Sequence, residues 1–308
     1  MRNPSLPKRV SIREVGPRDG FQHEPETIAT TAKVALINRL ACTGVKRIEV
    51  TSFVRADVVP QLADAADVLA AVDVPDGVAR SVLIPNRRGL DRALQQRDRF
   101  EEASVFLSAS ETHNQRNVNR SVAASLADLE GVIERAGGAG LRVEAVISTS
   151  FGCPYEGAVD RGRVLQIAAR LAEAGAQEVA FGDTTGMANP VQVAQHFEAA
   201  RPALPDVELT AHFHNTRGQG LANVFAALQA GCTSYESSFG ELGGCPVPPG
   251  STGNIASEDL VSMLHEMGIE TGIDLDALVE AAREARAVLG RPLGSHTLVA
   301  GPVDWKQG

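Results

Sequence analysis

Short runs of β-branched and apolar residues recur along this chain, each followed by a longer alanine- and leucine-rich segment, and that alternation leaves few folds open. Runs that read as strands cover 10–15, 47–50, 79–84, 104–107, 142–147, 178–181, 208–214 and 234–237. Segments with apolar residues at helical spacing cover 31–40, 62–72, 122–137, 161–174, 190–199 and 218–230. Three of them end at a glycine suited to closing a helix: Gly44, Gly175 and Gly231. Strands that alternate with helices pair in parallel, because the intervening helix carries the chain back to the start of the next strand. Eight such units with no linker or composition break predict an α/β fold, a (β/α)8 TIM barrel. A doubly wound open sheet is the second choice, and it lacks the Gly-x-Gly-x-x-Gly that a dinucleotide site needs after the first strand. Helical patterns at 258–264 and 275–289 predict additional C-terminal helices packed on the barrel. The chain is read as one domain over 1–308, with the barrel at about 10–257, a helical appendage at about 258–290 and a tail at 291–308.

Composition narrows the class of function. With 308 residues, 44% hydrophobic and 22% charged, the chain has ample material for a buried core. A net charge of −9 argues against nucleic acid as a partner. It also sets a condition: an anionic substrate needs a local basic patch or a metal to offset the overall field. No apolar run approaches the roughly 18–20 residues of a membrane span, and 1–9 is too short and polar for a signal or transit peptide. The cysteines (Cys42, Cys153, Cys232, Cys245) form no C-x-x-C pair, a pattern suited to a reducing compartment. A cytoplasmic enzyme with no membrane partner is expected. Cys42 and Cys232, at helix ends, read as small core residues, and Cys153 as structural.

In such a barrel chemistry sits where the strands end. The seventh strand ends in His212-Phe213-His214-Asn215, and residues two apart on a strand share a face. Taken alone, the pair reads equally well as two metal ligands or as one core and one surface histidine. The first strand runs into Glu14-Val15-Gly16-Pro17-Arg18-Asp19-Gly20-Phe21-Gln22, the second into Glu49-Val50-Thr51-Ser52-Phe53 and the sixth into Gly182-Asp183-Thr184. The eighth leads through Glu236-Ser237-Ser238 to Gly243-Gly244-Cys245-Pro246 and then Gly253-Asn254. A barrel brings these distant segments to one mouth. One carboxylate, two imidazoles and an amide oxygen make a mostly hard ligand set, which favours an open octahedral Mg2+ or Mn2+ site and leaves Co2+ and Zn2+ open.

These motifs, with Thr51-Ser52-Phe53-Val54 and Phe151-Gly152-Cys153-Pro154-Tyr155-Glu156-Gly157, resemble the 3-hydroxy-3-methylglutaryl-CoA lyase family of metal-dependent TIM-barrel lyases. The resemblance runs in the same order from about Val10 to Leu289. It implies that Asp19, His212, His214 and Asn254 hold a divalent cation, and that Arg18 contacts the thioester carbonyl. It also implies that Cys245, in a Gly- and Pro-bounded loop, protonates the departing acetyl-CoA enolate. Arg18 also suits a salt bridge with Glu49 or Asp183. Of those two carboxylates, Asp183 is expected nearer the hydroxyl proton, with His212, while the other orients Arg18 or a ligand histidine. Gln22 is expected to support the site. The implied chemistry is a retro-Claisen cleavage giving acetyl-CoA and acetoacetate.

Some segments depart from the family pattern. Arg55-Ala56-Asp57-Val58 stands where members carry Ser-Pro-Lys-Trp, Asn215-Thr216-Arg217 replaces Asp-Thr-Tyr, and Val247-Pro248-Pro249 lacks a common tyrosine. These changes leave the metal chemistry intact and the acyl portion of the substrate open. Asn86-Arg87-Arg88 and Arg217 are candidates to meet the CoA phosphates. A homo-oligomer is expected. The alternative is a condensing synthase or aldolase on the same barrel, joining acetyl-CoA to a 2-oxo acid; Gly243-Gly244-Cys245-Pro246 argues for cleavage instead.

Overall fold

Eight parallel strands close on themselves in sequence order. They are β1 (Ser11–Glu14), β2 (Arg47–Ser52), β3 (Ala79–Leu83), β4 (Glu102–Ser108), β5 (Arg142–Ser148), β6 (Glu178–Asp183), β7 (Glu208–Phe213) and β8 (Ser234–Ser237). The structure is a computed structural model, and it describes residues 6–244 and 253–304. Around the strands lie α1 (Thr30–Ala41), α2 (Ala65–Ala71), α3 (Arg87–Ala93), α4 (Glu111–Val118), α5 (Val122–Gly138), α6 (Arg161–Glu173), α7 (Pro190–Ala203) and α8 (Gly220–Gln229). Then come α9 (Ser257–Glu266), α10 (Leu275–Leu289) and the short α11 (His296–Ala300), which falls in what the sequence marks as a tail.

Each strand obeys a period of two. One set of residues, Ile12, Ile48, Val82, Val105, Ile147, Phe181, Phe213 and Tyr235 among them, is apolar and fully buried against the helices. Phe181 on β6 meets Phe197 on α7 edge to face at 5.8 Å. The alternate set faces the barrel axis, and there the floor is charged rather than filled with branched aliphatics. Arg13 on β1 is ringed by Glu102 (3.1 Å), Glu178 (3.2 Å), Glu236 (3.0 Å) and Glu144. Arg47 on β2 shares Glu102 (3.0 Å) and Glu178. Charges this deep persist only when paired and hydrogen-bonded, so the strands must hold one register.

Capping side chains start many helices. Asn86, Ser110, Ser121, Asp160, Asn189 and Asp274 each accept a hydrogen bond from the backbone N–H three residues on. Asp274 N–H also donates to Thr43 O (2.7 Å), tying the turn after α1 to the start of α10. A Cβ on Gly44 (φ +94°) would lie 2.3 Å from Gly272 O, so only glycine serves both the helix end and this contact. Cys42 corrects the sequence expectation: it is exposed, because it caps α1 on the solvent side, while Cys153 and Cys232 are buried.

Candidate metal centre and substrate cavity

On β7, Leu209, Ala211 and Phe213 belong to the outward set, and Phe213 packs on Phe151 with ring centroids 5.9 Å apart. Thr210 and His212 face the axis, where Thr210 Oγ1 donates to Glu178 (2.6 Å). His214 continues that face one residue beyond the strand, and its Nε2 lies 3.1 Å from Nε2 of His212. An antiparallel bridge sets Asn254 opposite His214, secured by Ile255 N–H to Phe213 O and Asn215 N–H to Gly253 O, both 3.0 Å.

The β1 motif arrives from the other side. The chain makes a π-helical turn over Gly16–Gly20, in which Asp19 N–H donates to Val15 O (2.7 Å). This turn fits because Gly16 has no side chain: a Cβ there would stand 2.5 Å from the Phe239 ring. The turn carries Asp19 to the histidines. One ligand atom from each of Asp19, His212 and His214 falls within 4.8 Å of the others, and all three residues are buried. Asn254 Nδ2 donates to Asp19 Oδ2 (2.7 Å), and its Oδ1 is buried with no hydrogen-bond partner among the described residues. Two converging imidazole nitrogens, a carboxylate and an orphaned amide oxygen fit a divalent cation.

The electrostatics agree. Burial opposes charge on Asp19, but Arg18 and the neighbouring histidines outweigh it and hold the carboxyl well below the usual range. Burial, then His212, pushes His214 down to about 3, which favours the neutral imidazole that a metal ligand requires. Burial works against protonated His212 too, yet the hydrogen bond and charge of Glu236 raise it. That bond, from His212 Nδ1 to Glu236 Oε2, is 2.9 Å long. Arg18 donates from Nε to Glu49 Oε2 (2.5 Å) and from Nη1 to Asp19 Oδ1 (2.6 Å); the two carboxylates overcome burial and keep it cationic. Gln22 donates to Asp19 Oδ1 (2.7 Å). Asp183 Oδ1 accepts from Met187 N–H (2.8 Å) and Ala188 N–H (3.0 Å), while Oδ2 is buried with no hydrogen-bond partner among the described residues. Burial outweighs those bonds and pushes the Asp183 carboxyl up to about 7.

From this cluster a cavity of about 640 Å³ opens between the β2, β3 and β4 loops and α4. Arg18, Asp19, Gln22, His212 and His214 line its head, and Asn86 its flank. Its far wall includes His113 and Arg116 of α4 with Tyr155, whose ring lies 4.1 Å beneath the Arg116 guanidinium. Arg55 and Val58, from the segment that departs from the family pattern, also line it.

The structure thus gathers Arg18, Asp19, Gln22, Glu49, His212, His214 and Asn254 at one mouth. Two expected residues do not line the cavity: Asp183, which shares the outward face of β6 with Phe181 and lies between the lining residues Gly182 and Thr184, and Arg217, whose guanidinium is occupied by Thr185 O and Gly186 O, both at 2.8 Å. Arg88 is exposed away from the cavity, and Arg87 pairs with Asp128 at 3.5 Å. Cys245 lies outside the described residues. Sequence reasoning passed over Glu236 as a partner of His212 and missed α4 altogether. The first had a signal, a carboxylate on the inward face of the neighbouring strand; the second had only Ser110 as a cap, since Glu111–Val118 carries no apolar period.

Comparison with known proteins supplies the lineage. The HMGL-like family model matches residues 9–284. The hydroxymethylglutaryl-CoA lyase YngG of Bacillus subtilis is 47% identical over 292 residues, which is 95% of this chain and 97% of that protein. The 3-hydroxy-3-isohexenylglutaryl-CoA/hydroxy-methylglutaryl-CoA lyase of Pseudomonas aeruginosa is 42% identical, over 96% and 98% of the two chains. An HMG-CoA lyase of Acinetobacter baumannii, solved in complex with coenzyme A and 3-methylmalate, superposes with a TM-score of 0.90 at 39% identity, covering 98% of this chain and 97% of that one. The chain with this barrel and this mouth belongs to the HMGL-like family.

Proposed function

We propose that this chain is a divalent-cation-dependent carbon–carbon lyase that cleaves 3-hydroxy-3-methylglutaryl-CoA, or a close 3-hydroxyacyl-CoA, to acetyl-CoA and acetoacetate. The observation that carries this reading is the cluster of Asp19, His212 and His214 with Arg18 beside it at the head of a cavity of about 640 Å³. The names of relatives at 42–47% identity support the substrate class.

A divalent cation, Mg2+ or Mn2+, held by Asp19, His212, His214 and Asn254 would supply Lewis acidity toward the substrate's tertiary hydroxyl and carboxylate. Asp183, beside the lining residues Gly182 and Thr184, has its carboxyl pushed up to about 7 and an Oδ2 with no hydrogen-bond partner among the described residues, and it is assigned as the base that takes the hydroxyl proton, while His212 serves as a ligand of the cation. As that proton leaves, the C2–C3 bond breaks, C3 becomes the ketone of acetoacetate, and the electron pair passes to the acetyl-CoA enolate. Arg18, fixed by Glu49 and Asp19, is aimed to hold the negative charge that develops on the thioester oxygen. Cys245 is assigned to protonate the enolate carbon; a thiol near pKa 8.5 gives and regains a proton readily near neutral pH. Gln22 holds Asp19, and Asn86 with the α4 wall is assigned to the CoA portion. No described helix is long and apolar enough to cross a membrane; a cytoplasmic homo-oligomer is part of the proposal.

The test offers the purified protein 3-hydroxy-3-methylglutaryl-CoA with Mg2+ or Mn2+ and follows acetoacetate. Cleavage that stops on chelation is expected. No cleavage, with turnover of acetyl-CoA and a 2-oxo acid instead, would overturn the lyase reading.

A further inference from the structure

The strand register itself places three ionisable side chains in a row beneath the candidate metal centre. His212 on β7 is paired with Glu236 on β8, and Glu236 is paired in turn with Arg13 on β1. All three point to the axis and are buried, at 7%, 3% and 1% exposure. Glu236 Oε2 accepts from His212 Nδ1 (2.9 Å), and Glu236 Oε1 accepts from Arg13 Nη1 (3.0 Å). The other ring nitrogen of His212, Nε2, faces Nε2 of His214. His214 Nδ1, by contrast, has no hydrogen-bond partner among the described residues.

We propose that Glu236 is a positioning residue: it fixes the tautomer and ring angle of His212 so that Nε2 is presented to the cation, and Arg13 holds Glu236 for that task. The inference rests on the reading that Asp19, His212, His214 and Asn254 bind a divalent cation. A carboxylate beneath Nδ1 keeps the proton there and leaves the Nε2 lone pair free, and such partners commonly set metal affinity. The demand on residue 236 is unusually strict. Arg13 only donates, and His212 in the ligating tautomer also donates, so residue 236 must offer an acceptor on each side. A carboxylate does so; an amide has one oxygen. In Glu236→Gln the oxygen turns to the permanently charged Arg13 and the amide N–H turns to His212 Nδ1. That moves the histidine proton to Nε2 and blocks it as a ligand. Among the described residues no side chain holds His214 in this way, so the effect is expected through His212.

The experiment measures Mn2+ binding by the loss of the free-ion EPR signal in wild type, Glu236→Gln, Glu236→Asp and Glu144→Gln. Glu144 is the control because it pairs with Arg13 and makes no bond to His212. Glu236→Gln is expected to weaken Mn2+ roughly 10–100-fold, Glu236→Asp to recover part of that loss, and Glu144→Gln to stay within about twofold of wild type. Ring-15N-histidine spectra of the Mg2+-loaded wild type are expected to show His212 protonated at Nδ1, a readout that stands even if a variant does not fold. Glu236→Gln equal to wild type, equal losses in Glu236→Gln and Glu144→Gln, or an Nε2-protonated His212 overturns the proposal while the metal centre stands. A wild type that binds no Mn2+ removes the metal reading, and this proposal with it.

Discussion

Glu258 offers a test of the fold that needs no substrate. It opens α9 and is fully buried, with both carboxylate oxygens facing Gly240 N–H at 2.9 and 3.0 Å. Burial, with Glu14 and Asp259 nearby, raises its carboxyl from 4.5 to about 8 against those hydrogen bonds. The folded chain therefore keeps a proton that the unfolded chain releases. Stability from this site is complete below the unfolded value and is lost as pH rises through the folded one. Each pH unit in the window costs about 1.4 kcal/mol, so the loss across it reaches about 5 kcal/mol. Glu258→Gln keeps an acceptor for Gly240 and cannot ionise. Its advantage over wild type should therefore grow by about 3 kcal/mol between about pH 5.5 and about pH 8.5. At ~2.1 cal/mol/K of unfolding entropy per residue this is a gain of roughly 5 °C in the midpoint difference. Thermal unfolding of both proteins by circular dichroism across that range is the assay. A constant offset between them at every pH would falsify the reasoning, because it means that Glu258 is already ionised in the fold.

Two further predictions concern the mouth. Arg18→Lys places one ammonium where a guanidinium spans Glu49 and Asp19, so it cannot reach both and still face the thioester. Turnover of 3-hydroxy-3-methylglutaryl-CoA should drop about 10²–10³-fold; a kcat within threefold of wild type would remove Arg18 from the charge-stabilising role. Cys245→Ala should abolish most turnover and leave Mn2+ affinity unchanged, whereas His212→Ala should lose both. Equal loss of Mn2+ in the two variants would erase that division of roles.

The barrel was legible because its strands repeat with period two and its helices with apolar spacing, and all eight expected strands appear, with ends shifted by at most two residues. What the pattern hid were elements held by polar contacts. Glu111–Val118 forms a helix through the Ser110 cap, with Glu111 accepting from Val122 N–H (2.9 Å) rather than through an apolar face. The turn at Gly16–Gly20 has no periodic signature, since its shape comes from the close approach of Phe239, which is more than two hundred residues away in the chain. Arg217 looked free in the sequence because its partners are backbone carbonyls of the β6 loop, which no side-chain pattern announces.

The carboxylates at the mouth of the barrel bear on what a cation would do there. Within the closed barrel Glu102, Glu178 and Glu236 are matched by Arg13, Arg47 and Arg142, and burial favours the neutral form of Glu144, whereas at the mouth Glu49 and Asp19 share the guanidinium of Arg18. A bare anionic substrate entering there meets an excess of carboxylate on top of a net charge of −9. The guanidinium of Arg18, beside the cluster, is already pinned on two sides. A divalent ion held by Asp19 and the histidines would offset that charge where the substrate's own carboxylate is proposed to sit, leaving Arg18 to serve the thioester oxygen. On this argument chelation should weaken binding of the intact substrate far more than binding of free coenzyme A, which the proposed function assigns to Asn86 and the α4 wall of the cavity. Equal weakening of both, measured by calorimetry on the same preparation, would show that the cation acts at a distance and not at the carboxylate.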